Sequence, residues 1–281
     1  MFYDPVADEI LDFVGGVEDL QRRHLRAIGD PAARLAEDKL RLVRAVRFAA
    51  RFQFSMDAAT GQAIRTSAPN LSVVSAERLL DEMKKICGNR YAAQAIQQLF
   101  DLRLLQTVWP QLADIFESYP EIQRHTLRAI ELLTHKSIET IFSLAIWFMQ
   151  QAHSPQVAAP IVKQVDDHHS AATQIGLHLR MSNQVLNDLH DLTNHISFVL
   201  NGSGRMWSAI QPLACHPRFS DLIDICKAVQ KTLEYPIDGI RHVEQQVALH
   251  QNDLSPPPLL TGQDLKRLGY RPGPEFKNIL T

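Results

Sequence analysis

The chain has 281 residues, of which 45% are hydrophobic and 21% are charged, a composition typical of a globular protein. Its formal net charge of −2 excludes an overall basic protein, so any affinity for nucleic acid must come from local charge. An apolar run of about 18 residues, the length of a membrane span, is absent from the sequence. Three widely spaced cysteines (Cys87, Cys215 and Cys226) fit a reducing compartment. We therefore expect a cytoplasmic protein without a membrane partner.

The first 28 residues differ from the rest of the chain. Apolar residues from Ile10 to Val14 lead into Gly15-Gly16, which predicts a short strand that ends in a turn. From Pro31 onward the pattern is helical, and helix starts are predicted at Asp30-Pro31, Ser75 and Ser182. The longest apolar stretch, residues 141–149, predicts a buried helix. The fold class is therefore mainly all-α, with a short β segment at the front.

The last 30 residues contain several helix-breaking signals. Pro256-Pro257-Pro258 predicts a stiff linker, because consecutive prolines cannot continue a helix. A short helix is predicted to begin at Thr261 and to stop at Gly269. A further helix opens at Pro272, and the sequence ends inside its apolar pattern at Thr281. Together with the apolar first residues, this interrupted pattern favours the interpretation that the sequence is a piece of a longer protein.

Residues 22–51 carry nine basic side chains and three carboxylates, a net charge of +6. If residues 37–51 form one helix, five charged residues share about a third of its circumference. They are Glu37, Arg41, Arg44, Arg47 and Arg51. Five apolar residues fall on the opposite, packing side: Leu42, Val43, Val46, Ala49 and Ala50. The arginine fork suits phosphate groups and base edges, because it donates two parallel hydrogen bonds.

A plainer interpretation is a charged helix face that is exposed to solvent. In it the Glu37–Arg41 pair would stabilise the helix by roughly a few tenths of a kcal/mol. Two features argue against it. Arginine is used almost to the exclusion of lysine, and the carboxylates sit together at one end of the segment. An aspartate and an arginine three residues apart offer both acceptors and donors, which is what recognition of a nucleotide base edge requires.

Three groups of residues stand in a specific order and spacing. They are Asp12, Gly15, Gly16 and Asp19; then Glu37, Asp38 and Arg41 in an E-D-x-x-R pattern; then Glu77, Arg78 and Glu82. In this order they resemble the middle of the class II tRNA nucleotidyltransferases, the family of CCA-adding enzymes and bacterial poly(A) polymerases. The resemblance extends from residue 1 to about residue 112 and resumes at about residue 255. Between these parts the chain is only compatible with the family.

The resemblance implies a role for each group. Asp38 and Arg41 would pair with the base of incoming CTP or ATP, and Glu37 would hold Arg41. Arg44 and Arg47 would support the nucleotide or its phosphates. The hinge between catalytic head and neck would be formed by Asp12, Gly15, Gly16 and Asp19. The neck would be braced by Glu77, Arg78 and Glu82.

The family's catalytic centre is a D-x-D pair that binds two Mg²⁺ ions, and no two aspartates here are separated by a single residue. The chain thus offers no catalytic residue and no metal ligand, and we expect it to be inactive alone. The run Asp166-Asp167-His168-His169 is better explained as a polar helix surface, because it lacks a second segment with ligand spacing. A His-Asp phosphohydrolase activity is not supported, since the corresponding stretch is the apolar residues 144–149.

Four units are predicted: the end of the head and hinge (1–28), a neck (29–112), a helical body (113–252) and a Pro-rich linker with the start of a tail (253–281). In the parent protein they would serve transfer of nucleotides from CTP and ATP to an RNA 3′ end, with tRNA as the expected partner. A non-catalytic RNA-binding protein, a poly(A) polymerase and a helical scaffold with an accidental basic face remain alternatives.

Overall fold

A computed structural model of the chain describes residues 1–152, 168–250, 254, 262–269 and 273. Within these ranges the protein is built almost entirely of helices. The prediction of a mainly all-α fold with a short β segment at the front is confirmed. No helix in the described ranges combines the length and the apolar character needed to cross a membrane.

Short strands occur near the N-terminus and beside the first long helix. Strand β1 (Phe2–Asp4) pairs antiparallel with β2 (Glu9–Leu11). The predicted strand around Ile10 is therefore present, but it ends at Leu11 rather than at Val14. Gly15 and Gly16 form the start of helix α1 (Gly16–Gln21). Strand β3 (His24–Leu25) pairs in parallel with β4 (Ser55–Met56), which ties the N-terminal segment to the helical part.

Five helices and one 3-10 helix make up the part that follows the first strands. They are α2 (Pro31–Glu37), α3 (Arg41–Phe52), α4 (Ala58–Ser67), the 3-10 helix (Ala68–Val73), α5 (Ala76–Cys87) and α6 (Ala92–Asp101). Helix α3 packs against both α5 and α6. The five apolar residues predicted on its packing side are all buried, so this prediction is confirmed.

The remaining helices form the larger part of the core. They are α7 (Leu105–Val108), α8 (Pro110–Ser118), α9 (Pro120–Leu132), α10 (Ile138–Ala152), α11 (His168–His178), α12 (Asn183–Leu200), α13 (Trp207–Ala214), α14 (Phe219–Leu233), α15 (Asp238–Leu249) and α16 (Gly262–Arg267). Helices α9, α10, α12 and α14 pack on one another as a bundle. Residues 141–149 of α10 are all buried, as predicted. The predicted boundary between residues 112 and 113 falls inside α8 and stays a prediction.

Hydrogen bonds at the helix starts explain where several helices begin. Asp30 accepts hydrogen bonds from the backbone N–H groups of Ala32 and Ala33, and Pro31 occupies the first turn. Ser182 caps α12 in the same way through the N–H of Val185. Both predicted caps are confirmed. The helix start predicted at Ser75 is also confirmed, since Ser75 is the N-cap residue of α5, but its side chain makes no capping hydrogen bond.

The tail is described only in part. Helix α16 ends at Arg267, and Gly269 follows with a left-handed backbone (φ 89°), as expected of a helix stop. The predicted cap Thr261, the proline run 256–258 and the helix expected after Pro272 lie outside the described residues.

Candidate functional site

The E-D-x-x-R segment forms a break between two helices rather than one continuous helix. Helix α2 ends at Glu37, and Asp38 has an extended backbone (φ −144°, ψ 107°) before α3 begins at Arg41. The assumption of one helix through residues 37–51 is therefore wrong. The Asp38 side chain accepts a hydrogen bond from the N–H of Leu40 at 3.1 Å. Such local side-chain bonds compete with helix formation and explain the break.

Glu37 joins the end of α2 to the start of α3. Its carboxylate accepts hydrogen bonds from Nη1 of Arg34 at 2.9 Å and from Nη1 of Arg41 at 2.5 Å. The Arg41 Nη1 also donates to the backbone carbonyl of Arg34 at 2.7 Å. Hydrogen bonds from Arg41 and then Arg34 lower the pKa of Glu37 below its ordinary value. Although the helix is interrupted, Arg41 is thus held in one orientation.

Asp38 is held by two arginines from different helices. Nη2 of Arg78, on α5, lies 3.2 and 3.3 Å from the two carboxylate oxygens of Asp38. Nη1 of Arg44 lies 3.5 Å from Oδ2. Partial burial raises the pKa of Asp38, but the N–H of Leu40 and the charges of Arg78 and Arg44 outweigh it and lower the pKa overall. Asp38 is therefore an ionised acceptor.

Glu82 is a buried carboxylate behind the same arginines. Its side chain is 2% exposed and lies 2.7 Å from Nε of Arg47, 3.3 Å from Nε of Arg44 and 3.2 Å from Nζ of Lys85. The Arg47 contact is an ion pair without an aligned hydrogen bond. Burial raises the pKa of Glu82, but the hydrogen bond from Lys85, the charge of Arg47 and the hydrogen bond from Arg44 lower it overall. Burying a carboxylate is costly unless it is paired in this way.

Together these side chains form one ion-pair network, which we call the junction cluster. It consists of Arg34, Glu37, Asp38, Arg41, Arg44, Arg47, Arg78, Glu82 and Lys85. Six cations surround three carboxylates, so the junction cluster is net positive. Its inner part is buried, whereas Asp38 and Arg41 keep side-chain exposures of 27% and 37%. The cluster therefore presents a carboxylate acceptor and a guanidinium donor to solvent on a rigid base.

The structure brings together most of the predicted base-recognition and bracing residues, with two differences. Glu77 lies apart from the junction cluster and pairs with Arg180 at 2.7 Å. Lys85 was not singled out from the sequence, although its position three residues after Glu82 is a spacing at which helical side chains meet. The sequence contains no comparable signal for Arg180.

The predicted hinge residues form a compact turn at the start of α1. Asp12 accepts hydrogen bonds from the N–H groups of Val17 at 2.7 Å and Val14 at 3.2 Å. Backbone hydrogen bonds, that of Val17 first, lower its pKa. Gly15 has a left-handed backbone (φ 75°), which favours glycine, and Asp19 pairs with Arg26 at 2.8 Å.

The described residues fit no metal centre. They contain no group of three or more histidine, cysteine, aspartate or glutamate side chains arranged to hold a metal ion. The two Mg²⁺ ions implied by the resemblance therefore find no site in this part of the chain. The side chains of the run 166–169 lie outside the described residues.

Comparison with known proteins finds similarity to an RNA-binding family and to CCA-adding enzymes. Residues 53–116 match the family described as "Probable RNA and SrmB- binding site of polymerase A". The CCA-adding enzyme of Bacillus pumilus is 36% identical over 116 residues, which cover 40% of this chain and 29% of that protein. That of Levilactobacillus brevis is 26% identical over 274 residues, which cover 96% of this chain and 61% of that protein.

The fold is also shared with a solved structure. The crystal structure of the Bacillus stearothermophilus CCA-adding enzyme in complex with CTP aligns with a TM-score of 0.65 and 20% identity, covering 99% of this chain and 64% of that chain. The fold is therefore that of the helical part of this CCA-adding enzyme. Residues 53–116 thus carry the matched RNA-binding domain, and the chain is similar in sequence and in fold to CCA-adding enzymes, in agreement with the resemblance to class II tRNA nucleotidyltransferases. It spans less than two thirds of the length of the relatives named above.

Proposed function

We propose that this chain is the base-selecting and RNA-binding part of an enzyme that adds nucleotides from CTP and ATP to the 3′ end of tRNA. The observation that carries the proposal is the junction cluster. It holds a carboxylate, Asp38, and a guanidinium, Arg41, at the solvent-facing edge of a helix break.

The chemistry of this pair favours cytosine and adenine over uracil and guanine. Cytosine and adenine each present an exocyclic amine next to a ring nitrogen that accepts a hydrogen bond. A carboxylate accepts from the amine, and a guanidinium donates to the ring nitrogen. Uracil and guanine present a carbonyl and a ring N–H instead, so both contacts would be mismatched. An unmatched polar group costs about 1–3 kcal/mol, which is enough for selection.

The other residues of the junction cluster would position this pair. Glu37 fixes Arg41, and Arg78 fixes Asp38 from the neighbouring helix α5. Arg44 contacts both Asp38 and Glu82, so it links the exposed pair to the buried carboxylate. Arg47 has a side-chain exposure of 13%. It would therefore support the nucleotide site through Glu82 rather than by direct contact.

We propose a separate role for each of the predicted units. Residues 1–28 would form the hinge to a catalytic head, in which Asp12 and Gly15 hold the turn. Residues 29–112 would form the neck, and the helices of residues 113–252 would contact the tRNA backbone, a shape-based and salt-sensitive mode. The Mg²⁺ ions and their carboxylates would belong to the head. We therefore propose that this chain alone adds no nucleotide. We also propose a cytoplasmic location, because tRNA is the partner.

A binding titration tests this function in the chain as it stands. Fluorescently labelled tRNA that lacks its CCA end is titrated with the protein at several salt concentrations. We expect saturable binding whose affinity falls linearly on a log–log plot against salt, because phosphate contacts release counterions. Absence of salt-dependent binding would remove the basis for an RNA-processing role.

A further inference from the structure

The face of α3 beyond the junction cluster carries exposed aromatic rings. Phe48 and Phe52 are 36% and 50% exposed. They follow Arg41 on one line of the helix, since positions 41, 48 and 52 are separated by seven and four residues. Large exposed phenylalanines on a polar helix face require an explanation, because burial of such rings is normally favourable.

Two of the rings are stacked on each other, and a third ring lies tilted beside them. The centroids of Phe48 and Phe52 lie 6.0 Å apart with 15° between their planes, and Phe54 continues the series at 5.7 Å from Phe52. Arg47 lies over the Phe48 ring at 4.3 Å, and Arg51 lies over the Phe52 ring at 5.6 Å. We call these three phenylalanines the aromatic strip.

The charge around the aromatic strip is positive. Helix α3 contains four arginines and no carboxylate. Arg51 forms no ion pair with any residue that the structure describes. Aromatic rings interleaved with unpaired arginine are the features by which proteins bind single-stranded nucleic acid, with rings under the bases and cations along the phosphates.

We propose that the aromatic strip binds unpaired bases of an RNA strand by stacking. The inference rests on the proposed function and deepens it, because it names the part of the RNA that this face takes. Arg41 and Phe48 are about 10 Å apart along the helix at 1.5 Å per residue. Stacked bases are about 3.4 Å apart. Phe48, the first ring of the strip, therefore lies about three nucleotides away from a base that is bound at Arg41.

The test uses the full 281-residue chain and two labelled oligomers of equal length. One is a short unstructured RNA, and the other carries abasic residues in place of its bases, so that only phosphate contacts remain. We expect the wild type to prefer the RNA with bases. In Phe48→Ala/Phe52→Ala, the affinity for this RNA falls by about five- to one-hundred-fold, as expected when one or more stacked bases are lost. Affinity for the abasic oligomer stays unchanged.

Four further single variants separate stacking from general apolar contact. Phe52→Tyr keeps the affinity, whereas Phe52→Leu loses it, because leucine is apolar but cannot stack. Phe52→Trp gives a fluorescence signal that is quenched when the RNA binds. Phe2→Ala removes another exposed phenylalanine, which is 69% exposed on β1, and leaves binding unchanged. If circular dichroism shows that the double variant does not fold, these single variants test stacking in its place.

Three results would overturn the inference, and they can be told apart. If the wild type binds neither oligomer, the proposed function fails and the stacking role fails with it. If the wild type binds RNA but the double variant and Phe52→Leu bind equally well, the proposed function stands and the stacking role is wrong. Equal losses for RNA and abasic oligomer would also contradict stacking. The strip would then contact another protein surface.

Discussion

Replacement of Glu82 by glutamine removes the only carboxylate among the buried members of the junction cluster. The change keeps the shape of the side chain and deletes its charge. Arg47 and Lys85 lose their ion-pair partner, and Arg44 keeps only its contact with Asp38. We expect the stability of the neck to fall and the positions of the arginines to loosen.

The size of the effect follows from the exposure of the three cations. Removal of one partner from a buried ion pair costs about 3–5 kcal/mol, because the other charge stays buried. Arg44 and Lys85 are 39% and 54% exposed and can regain water, whereas Arg47 is only 13% exposed. One cation is thus left unpaired away from water. We therefore expect a loss near the lower end, about 3 kcal/mol.

Urea unfolding followed by circular dichroism measures this loss. The matched control is Glu117→Gln, because Glu117 and its partner Arg103 are 46% and 61% exposed. An exposed pair contributes about 0–1 kcal/mol, so the control changes little. If both variants lose the same small free energy of unfolding, the account of Glu82 as the buried support of the arginines is refuted.

Other predictions concern packing and pH. Gly239→Ala should destabilise the chain by about 1–3 kcal/mol, because a Cβ there would lie 2.2 Å from the carbonyl oxygen of Leu200. Gly61→Ala should stabilise α4 by about 0.5–1 kcal/mol, since its Cβ would meet only ordinary contacts; urea unfolding measures both. The pKa values of Asp38 and Glu82 are lower in the folded chain than their ordinary 3.8 and 4.5. The two ionised carboxylates therefore contribute their full stabilisation of the folded chain above about pH 4.5. This contribution is lost as the pH falls through their pKa values in the folded chain. Urea titrations from pH 7 to pH 3 should show this loss, and Glu82→Gln should reduce it.

Local features of the fold could be predicted because they depend on near neighbours in the sequence. The buried side of α3 follows from the spacing of its apolar residues, and the caps at Asp30 and Ser182 follow from residue type. Helix α5 starts after Ser75 as its residue type predicts, but the side chain makes no capping hydrogen bond, because residue type alone does not fix the direction of the hydroxyl group.

The junction cluster could be predicted only in part. The segment around Asp38 was singled out from its residues, but the helix break depends on a local hydrogen bond that competes with the helix. The Arg78–Asp38 pair joins residues 40 positions apart, and the Arg180–Glu77 pair joins residues 103 apart. Many charged residues could have met across such distances. The choice among them is made by helix packing, which periodicity does not specify.

Nucleotide choice by an enzyme that contains this chain tests the central claim most directly. The chain is joined at its N-terminus to the catalytic head of the Bacillus stearothermophilus relative, and kcat/KM is measured for CTP, ATP, UTP and GTP. We predict that Arg41→Ala lowers the preference for CTP over UTP by about ten- to one-hundred-fold, the value of a hydrogen bond to a charged group. Arg128→Ala, which removes an arginine that is 59% exposed on α9, should leave this preference intact. An unchanged ratio in Arg41→Ala would contradict the proposal that the junction cluster selects the base.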